Sequence, residues 1–151
     1  MEAGRKKVPR RGEVWIVSFD PKVGDEISKT RPAIVVNVDE VGNLALRMVV
    51  PVTGWDNRYE RFPWLVRIKA GRRNGLTKES VADAFQAKSL SLERFDRCIG
   101  MVSAPAIEDI AAAIALCIGY VADSPATSNG EQAVPKWIPP RQYHIVDVQS
   151  V

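Results

Sequence analysis

The chain has 151 residues, a mass of 16.7 kDa, 46% apolar and 26% charged residues, and a formal net charge of +3. These values fit one soluble domain and exclude a collagen-like repeat, a long disordered polymer and a membrane bundle, since no apolar run approaches the ~18–20 residues that cross a bilayer. The basic opening MEAGRKKVPRRG precedes an apolar run that breaks at Ser18 and Asp20, too short for a secretory signal, and Cys98 and Cys117 have no CxxC or Cys/His metal spacing. The expectation is a cytoplasmic protein with reduced thiols.

Residues 1–12 hold five Lys/Arg against one Glu and read as a basic N-terminal arm. EVWIVSF at 13–19 is apolar, β-branched and aromatic, bounded by Gly12 and Asp20-Pro21, which predicts a strand buried on both faces. The polar loop DPKVGDEISKTR follows, then strands at 33–38 (AIVVNV) and 44–50 (LALRMVV) joined by a hairpin turn at 39–43, where Gly42 accepts a positive φ. Residues 51–63 read as a loop opened by Pro51 and Thr53-Gly54. A strand is expected at 64–69 (WLVRIK), then the basic turn AGRRNG and short strands near 79–88 and 98–102. One helix is predicted over 104–118. Ser103 caps it, Pro105 lies in its first turn, Ile107, Ile110, Ile114 and Ile118 form its apolar face, and Gly119 ends it. Short strands with Gly/Pro turns and one closing helix give a mainly β chain with a C-terminal helix, a small β-barrel over 13–120. Residues 121–151 are poor in core-forming residues and read as a flexible tail.

Several chemistries are absent from this inventory. The single histidine, His144, lies in the tail, so a two-histidine nuclease mechanism is unavailable. There is no GxxxxGK[ST] or GxGxxG element and no acidic set resembling a metal cage. What remains is arginine, lysine, hydroxyls and backbone amides, the groups that hold a phosphodiester and stabilise its developing charge. Arg31 in KTRPA and Thr53 in VVPVTG stand at strand boundaries, each with two readings. Arg31 is either a phosphate-stabilising group or a surface ion-pair partner of Glu26. Thr53 is either a phosphate ligand or a turn residue bonded to its own backbone. The segment 54–75 carries six Lys/Arg against two acids, with Trp55, Tyr59, Phe62 and Trp64 interleaved. It is either a solvated surface or a patch suited to a polyanion with stackable bases.

RGEVWIVSFDPKVGDEISKTRPAIVV, VVPVTG, GLTKESVADAFQAKSLS and IGMVS, followed by a helix ending in GY, resemble in order and spacing the MazF/PemK family of type II toxin–antitoxin toxins, from Arg11 to Tyr120. The resemblance implies an SH3-like barrel of the CcdB/PemK type, a homodimer, and a metal-independent, cofactor-free endoribonuclease acting on single-stranded RNA. It implies attack by the ribose 2′-OH, leaving a 2′,3′-cyclic phosphate and a 5′-OH. Arg31, Thr53 and Glu26 match the family's catalytic positions. The pKa of arginine, ~12 or higher, favours charge stabilisation over proton abstraction at Arg31, and Glu26 is then either the base or the group that orients Arg31. Loops 20–31 and 54–62 are expected to flank the RNA, with Lys29, Arg58 and Arg61 on phosphates. Trp55 is expected to be a stacking platform or a loop anchor, and Thr30 and Gln86 further RNA contacts. Trp15 and Trp64 are assigned to the core or a dimer contact. Where many members carry Asp-Gln, this chain has Phe85-Gln86, with Asp83 two positions earlier on the same face of the expected strand. The implied partner is an antitoxin with an acidic disordered segment. The alternatives are a non-catalytic barrel of the gyrase-poison type and an RNA-binding module without activity.

Overall fold

The computed structural model describes residues 6–120. The expectation for the tail at 121–151, with His144, lies outside the described residues, as do residues 1–5 of the basic arm. The strands are β1 (Glu13–Ser18), β2 (Thr30–Val35), β3 (Leu46–Gly54), β4 (Leu65–Ile68), β5 (Ser80–Asp83), β6 (Lys88–Ser91) and β7 (Phe95–Met101), and the helix is α1 (Ala104–Cys117). All pairings are antiparallel, in the order β4-β5-β3-β2-β1-β7, with β6 on β3. The mainly β class with a C-terminal helix is therefore present. Among the described residues no ladder joins β4 to β7, so the sheet is not closed by hydrogen bonds.

The nine-residue β3 organises the sheet. Its first half pairs with β6, ending at Val49↔Lys88, and its second half pairs with β5, starting at Val52↔Ala82. Pro51, which has no N–H to donate, lies at the switch between these two partners.

Side-chain alternation explains the continuous apolar runs of β1 and β2. Val14, Ile34, Val50 and Val52 face one core cluster, which Ile107 and Ile110 of α1 also enter. Trp15, Val17, Ala33, Val35 and Val49 face a second cluster with Leu90 and Phe95. Trp15 is 2% exposed and meets Phe95 edge-on at 5.9 Å, so it is a core residue. Burial of Ile107 and Ile110 contributes about 1.5–3 kcal/mol each to holding α1 on the sheet. Ser103 caps α1 by accepting from the Ala106 amide at 3.3 Å. The expected apolar face ends earlier than its sequence spacing suggests, because Ile118 is the C-cap and 76% exposed. Gly119, with φ +73°, reverses the chain.

Several expected boundaries move. β2 begins at Thr30, so Arg31 and Pro32 lie inside the strand; β3 continues to Gly54, so Thr53 does too. The expected 39–43 turn holds a 3-10 turn at Asp39–Val41, and another at Asn57–Arg61 fills part of the 51–63 loop. Trp64 precedes β4 and is half-buried. The single strand expected at 79–88 is two strands separated by a 3-10 turn at Ala84–Gln86. The Asp83 carboxylate causes this break by accepting from the Phe85 amide at 3.1 Å, which diverts the backbone from the ladder. β7 starts at Phe95, ahead of the expected 98.

Candidate active site

Sheet register builds the site. Arg31 pairs with Val17 across β1–β2, and Thr53 pairs with Val81 across β3–β5. The β2–β3 ladder ends at Ala33↔Pro51, and Arg31 and Thr53 each lie two residues beyond it in their strands. Residues two apart in a strand share a face, and both side chains line one cleft of about 270 Å³. Glu26 and Lys22 reach it from loop 20–29, Asp83 from the end of β5, Gln86 from the 3-10 turn that follows it, and Tyr59 from the 3-10 turn after β3.

Arg31 is half-buried and its Nε donates to the Ser28 carbonyl at 2.8 Å. Among the described residues its two terminal nitrogens make no hydrogen bond and it forms no ion pair, so the expected surface pair with Glu26 is not formed. The guanidinium is thus aimed by its own loop, with its fork open to the cleft. Thr53 is held by its ladder with β5, opposite Val81, rather than by a turn bond from its hydroxyl. Glu26 is exposed, its amide closing a turn onto Val23 at 3.1 Å, and its carboxylate accepts no hydrogen bond among the described residues. Asp83 differs: one oxygen accepts from the Phe85 amide, and the other from Gln86 Nε2 at 3.0 Å. Gln86 Oε1 in turn accepts from the Ile27 amide at 2.6 Å. Both polar ends of Gln86 are therefore used to tie loop 20–29 to β5. The cleft sets two cations, Lys22 and Arg31, among the carboxylates of Asp25, Glu26 and Asp83. No group of three or more His, Cys, Asp or Glu among the described residues could hold a metal.

The remaining expected contacts lie outside this cleft. Lys29 is exposed in the left-handed region (φ +69°), its amide donating to Asp20 Oδ1 at 2.8 Å, and exposed Thr30 opens β2 against Ser18. Trp55 carries the Arg67 guanidinium 4.5 Å from its ring centroid and Tyr59 edge-on at 6.2 Å, and its indole N–H reaches Asn57 at 3.2 Å. These contacts anchor its loop and occupy one face of the indole. Arg58 grips Asp56 in a two-point pair, 3.0 Å at each contact, which holds the Asp56 carboxyl below its ordinary range. Arg61 lies 5.0 Å from the Phe62 ring centroid. Tyr59, Lys22 and Asp25 also line the cleft and are not among the site residues the sequence predicts. The Arg58–Arg61 charges around Tyr59 and the turn signals around Lys22 and Asp25 were the available signs.

Residues 10–118 match the model of the family described as PemK-like, MazF-like toxin of type II toxin–antitoxin system. The chain is 38% identical over 113 residues to endoribonuclease MazF9 of Mycobacterium tuberculosis, covering 71% of this chain and 93% of that one. Its fold resembles the crystal structure of MazF from Deinococcus radiodurans, with a TM-score of 0.64 at 23% identity over 75% of this chain and 98% of that one. It also resembles an endoribonuclease from a mycobacterial species in complex with its cognate antitoxin, with a TM-score of 0.57 at 18% identity, covering 74% and 96% of the two chains.

Proposed function

The chain belongs to the PemK-like, MazF-like toxins of type II toxin–antitoxin systems, and on that premise we propose that it is an endoribonuclease toxin cutting single-stranded RNA without a metal. The ribose 2′ oxygen forms a bond to phosphorus as the bond to the 5′ oxygen breaks, giving a 2′,3′-cyclic phosphate and a 5′-OH. Arg31 places its open fork on the non-bridging oxygens, where charge accumulates, and Thr53 donates its hydroxyl to the same phosphate. Glu26, whose carboxylate carries no internal hydrogen bond, takes the 2′-OH proton, while the leaving 5′ oxygen collects a proton from water. Ser28, not Glu26, orients Arg31. One juxtaposition supports this reading above the rest: Arg31 of β2 and Thr53 of β3 line one cleft, which also takes Glu26.

RNA approaches along the basic surface around this cleft, with Lys29, Thr30, Arg58 and Arg61 on the backbone and Trp55 offering its remaining face. Gln86 acts by positioning loop 20–29. The partners in this reading are a second copy of the chain and an antitoxin whose acidic segment covers the same cations, in the cytoplasm. No helix among the described residues is long and apolar enough to cross a membrane.

The test incubates purified protein with a long, weakly structured RNA in EDTA, beside single-stranded DNA of matching sequence and the Arg31→Ala variant. Discrete RNA cuts ending in cyclic phosphates are expected, with DNA intact and cutting slowed about 10²–10³-fold in the variant. Intact RNA from folded, antitoxin-free protein refutes the enzyme reading and turns attention to a gyrase-type target.

A further inference from the structure

An open groove of about 720 Å³ adjoins the cleft and shares Asp25, Glu26, Asp83 and Gln86 with it. Its own floor is aromatic. Trp64 and Phe85 line it with ring centroids 5.8 Å apart, and outside the groove Phe62 meets Trp64 at 5.2 Å with Arg61 over its ring. Phe85 is 66% exposed although it is large and apolar. It is not displayed by a loose chain: the 3-10 turn at Ala84–Gln86 is capped by Asp83, and the turn packs against α1. A capped turn beside a reaction cleft thus presents a ring to solvent.

We propose that this groove is a base-stacking subsite, in which an unpaired base next to the reacting phosphate lies on Phe85 and Trp64. This inference rests on the endoribonuclease reading for its ligand. Flat aromatic faces accept any base, and stacking on them is the usual hold on single-stranded nucleic acid. Asp25, Glu26 and Asp83 line both sites, and their carboxylate oxygens accept the N–H groups at a base edge. The two sites differ in the rest of their lining: Lys22, Arg31 and Thr53 in the cleft, and Trp64, Phe85 and a single cation, Lys88, in the groove. The reacting phosphate stays with Arg31 and Thr53, and the attached base turns onto the rings. The two sites share a wall, as adjoining parts of one nucleotide chain require.

The test measures binding rather than cutting. A short single-stranded 2′-O-methyl oligonucleotide, which has no free 2′-OH, is titrated against wild type, Phe85→Ala and Phe85→Trp, followed by fluorescence anisotropy. Phe85→Ala is expected to weaken binding roughly 5- to 150-fold, with Phe85→Trp retaining it. An abasic site moved along the oligonucleotide weakens wild type at one position, and Phe85→Ala loses nothing further there. Wild-type affinity in Phe85→Ala, equal abasic losses in both proteins, or weakening that follows a change of oligomer size in sedimentation overturns the subsite. An unchanged Phe85→Ala in a protein whose wild type binds and cuts RNA sinks the subsite alone. A wild type that neither binds nor cuts sinks the endoribonuclease reading with it.

Discussion

Replacing Gln86 by leucine keeps the side chain's approximate size and removes both of its hydrogen bonds, from the Ile27 amide at 2.6 Å and to Asp83 at 3.0 Å. The neutral bond contributes about 1 kcal/mol, and the one to the carboxylate about 1.5 kcal/mol at this half-buried position, so a total loss of about 2.5 kcal/mol is expected. The effect on turnover is larger than stability alone suggests, because Ile27 neighbours Glu26 in loop 20–29. Loosening that anchor lets the carboxylate drift, and a displacement of ~1 Å at a reacting group costs on the order of 10²-fold. Gln86→Leu should therefore melt lower, lose kcat by about 10²-fold, and change KM much less. Gln86→Glu separates positioning from bulk. Its carboxylate still accepts from Ile27 but faces Asp83 with like charge, so its stability deficit should shrink as pH falls toward ~4, where a carboxyl protonates and donates again. Paired melting curves and single-turnover cleavage read both effects. Wild-type kcat in Gln86→Leu, despite the lowered melting point, would refute the positioning role.

Gly100→Ala should cost about 3 kcal/mol, a melting-temperature fall of roughly 10 °C, because its Cβ would lie 2.4 Å from the Arg73 carbonyl oxygen and as close to the Asn74 backbone. Gly71→Ala, which meets nothing within 4 Å, is the control, and equal melting of the two proteins would contradict this packing. Glu13 is 4% exposed, and burial pushes its carboxyl up. Hydrogen bonds from Lys7 at 2.7 Å, Trp15 at 2.8 Å and the Arg10 amide at 3.0 Å outweigh that and hold it below the ordinary range. A depressed folded pKa stabilises the protein above the unfolded value near ~4.3 and is lost as pH falls through the folded one. Glu13→Gln should thus be less stable than wild type by about 1–3 kcal/mol at neutral pH. Denaturant midpoints measured down to pH ~3 should converge, and a pH-independent gap would show that charge plays no part.

The apolar runs at 13–19 and 33–38, the Ser103 cap and the Gly119 stop were legible because each is decided by neighbours within a few positions. Arg31 and Thr53 stand out beside Pro32 and Gly54, yet the local sequence reads as strand ends, because the pairings that extend β2 and β3 past them, with Val17 of β1 and Val81 of β5, come from elsewhere in the chain. The turn at Ala84–Gln86 was hidden for a related reason. VADAFQAK alternates well enough for a strand, and only the Asp83 carboxylate competing for the Phe85 amide interrupts it. That turn takes Phe85 out of the strand and leaves it exposed. The reach of Gln86 to Ile27, 59 positions away, has no local signature at all.

Loop 20–29 is fastened at its neck. The Phe19 amide donates to the Lys29 carbonyl at 2.9 Å, the Lys29 amide donates to Asp20, and Lys29 takes the left-handed conformation that lets the chain fold back into β2. Between those clasps and the ties at Ile27 and Ser28, residues 21–25 project as a cassette whose ends are already closed. The entropy of joining its ends grows only slowly with added length. Insertions or exchanges at its tip would remodel the surface an incoming strand first meets, without shifting β2 against β3. The region around positions 21–25 is thus a natural place for related chains to diverge while Arg31 and Thr53 stay in register.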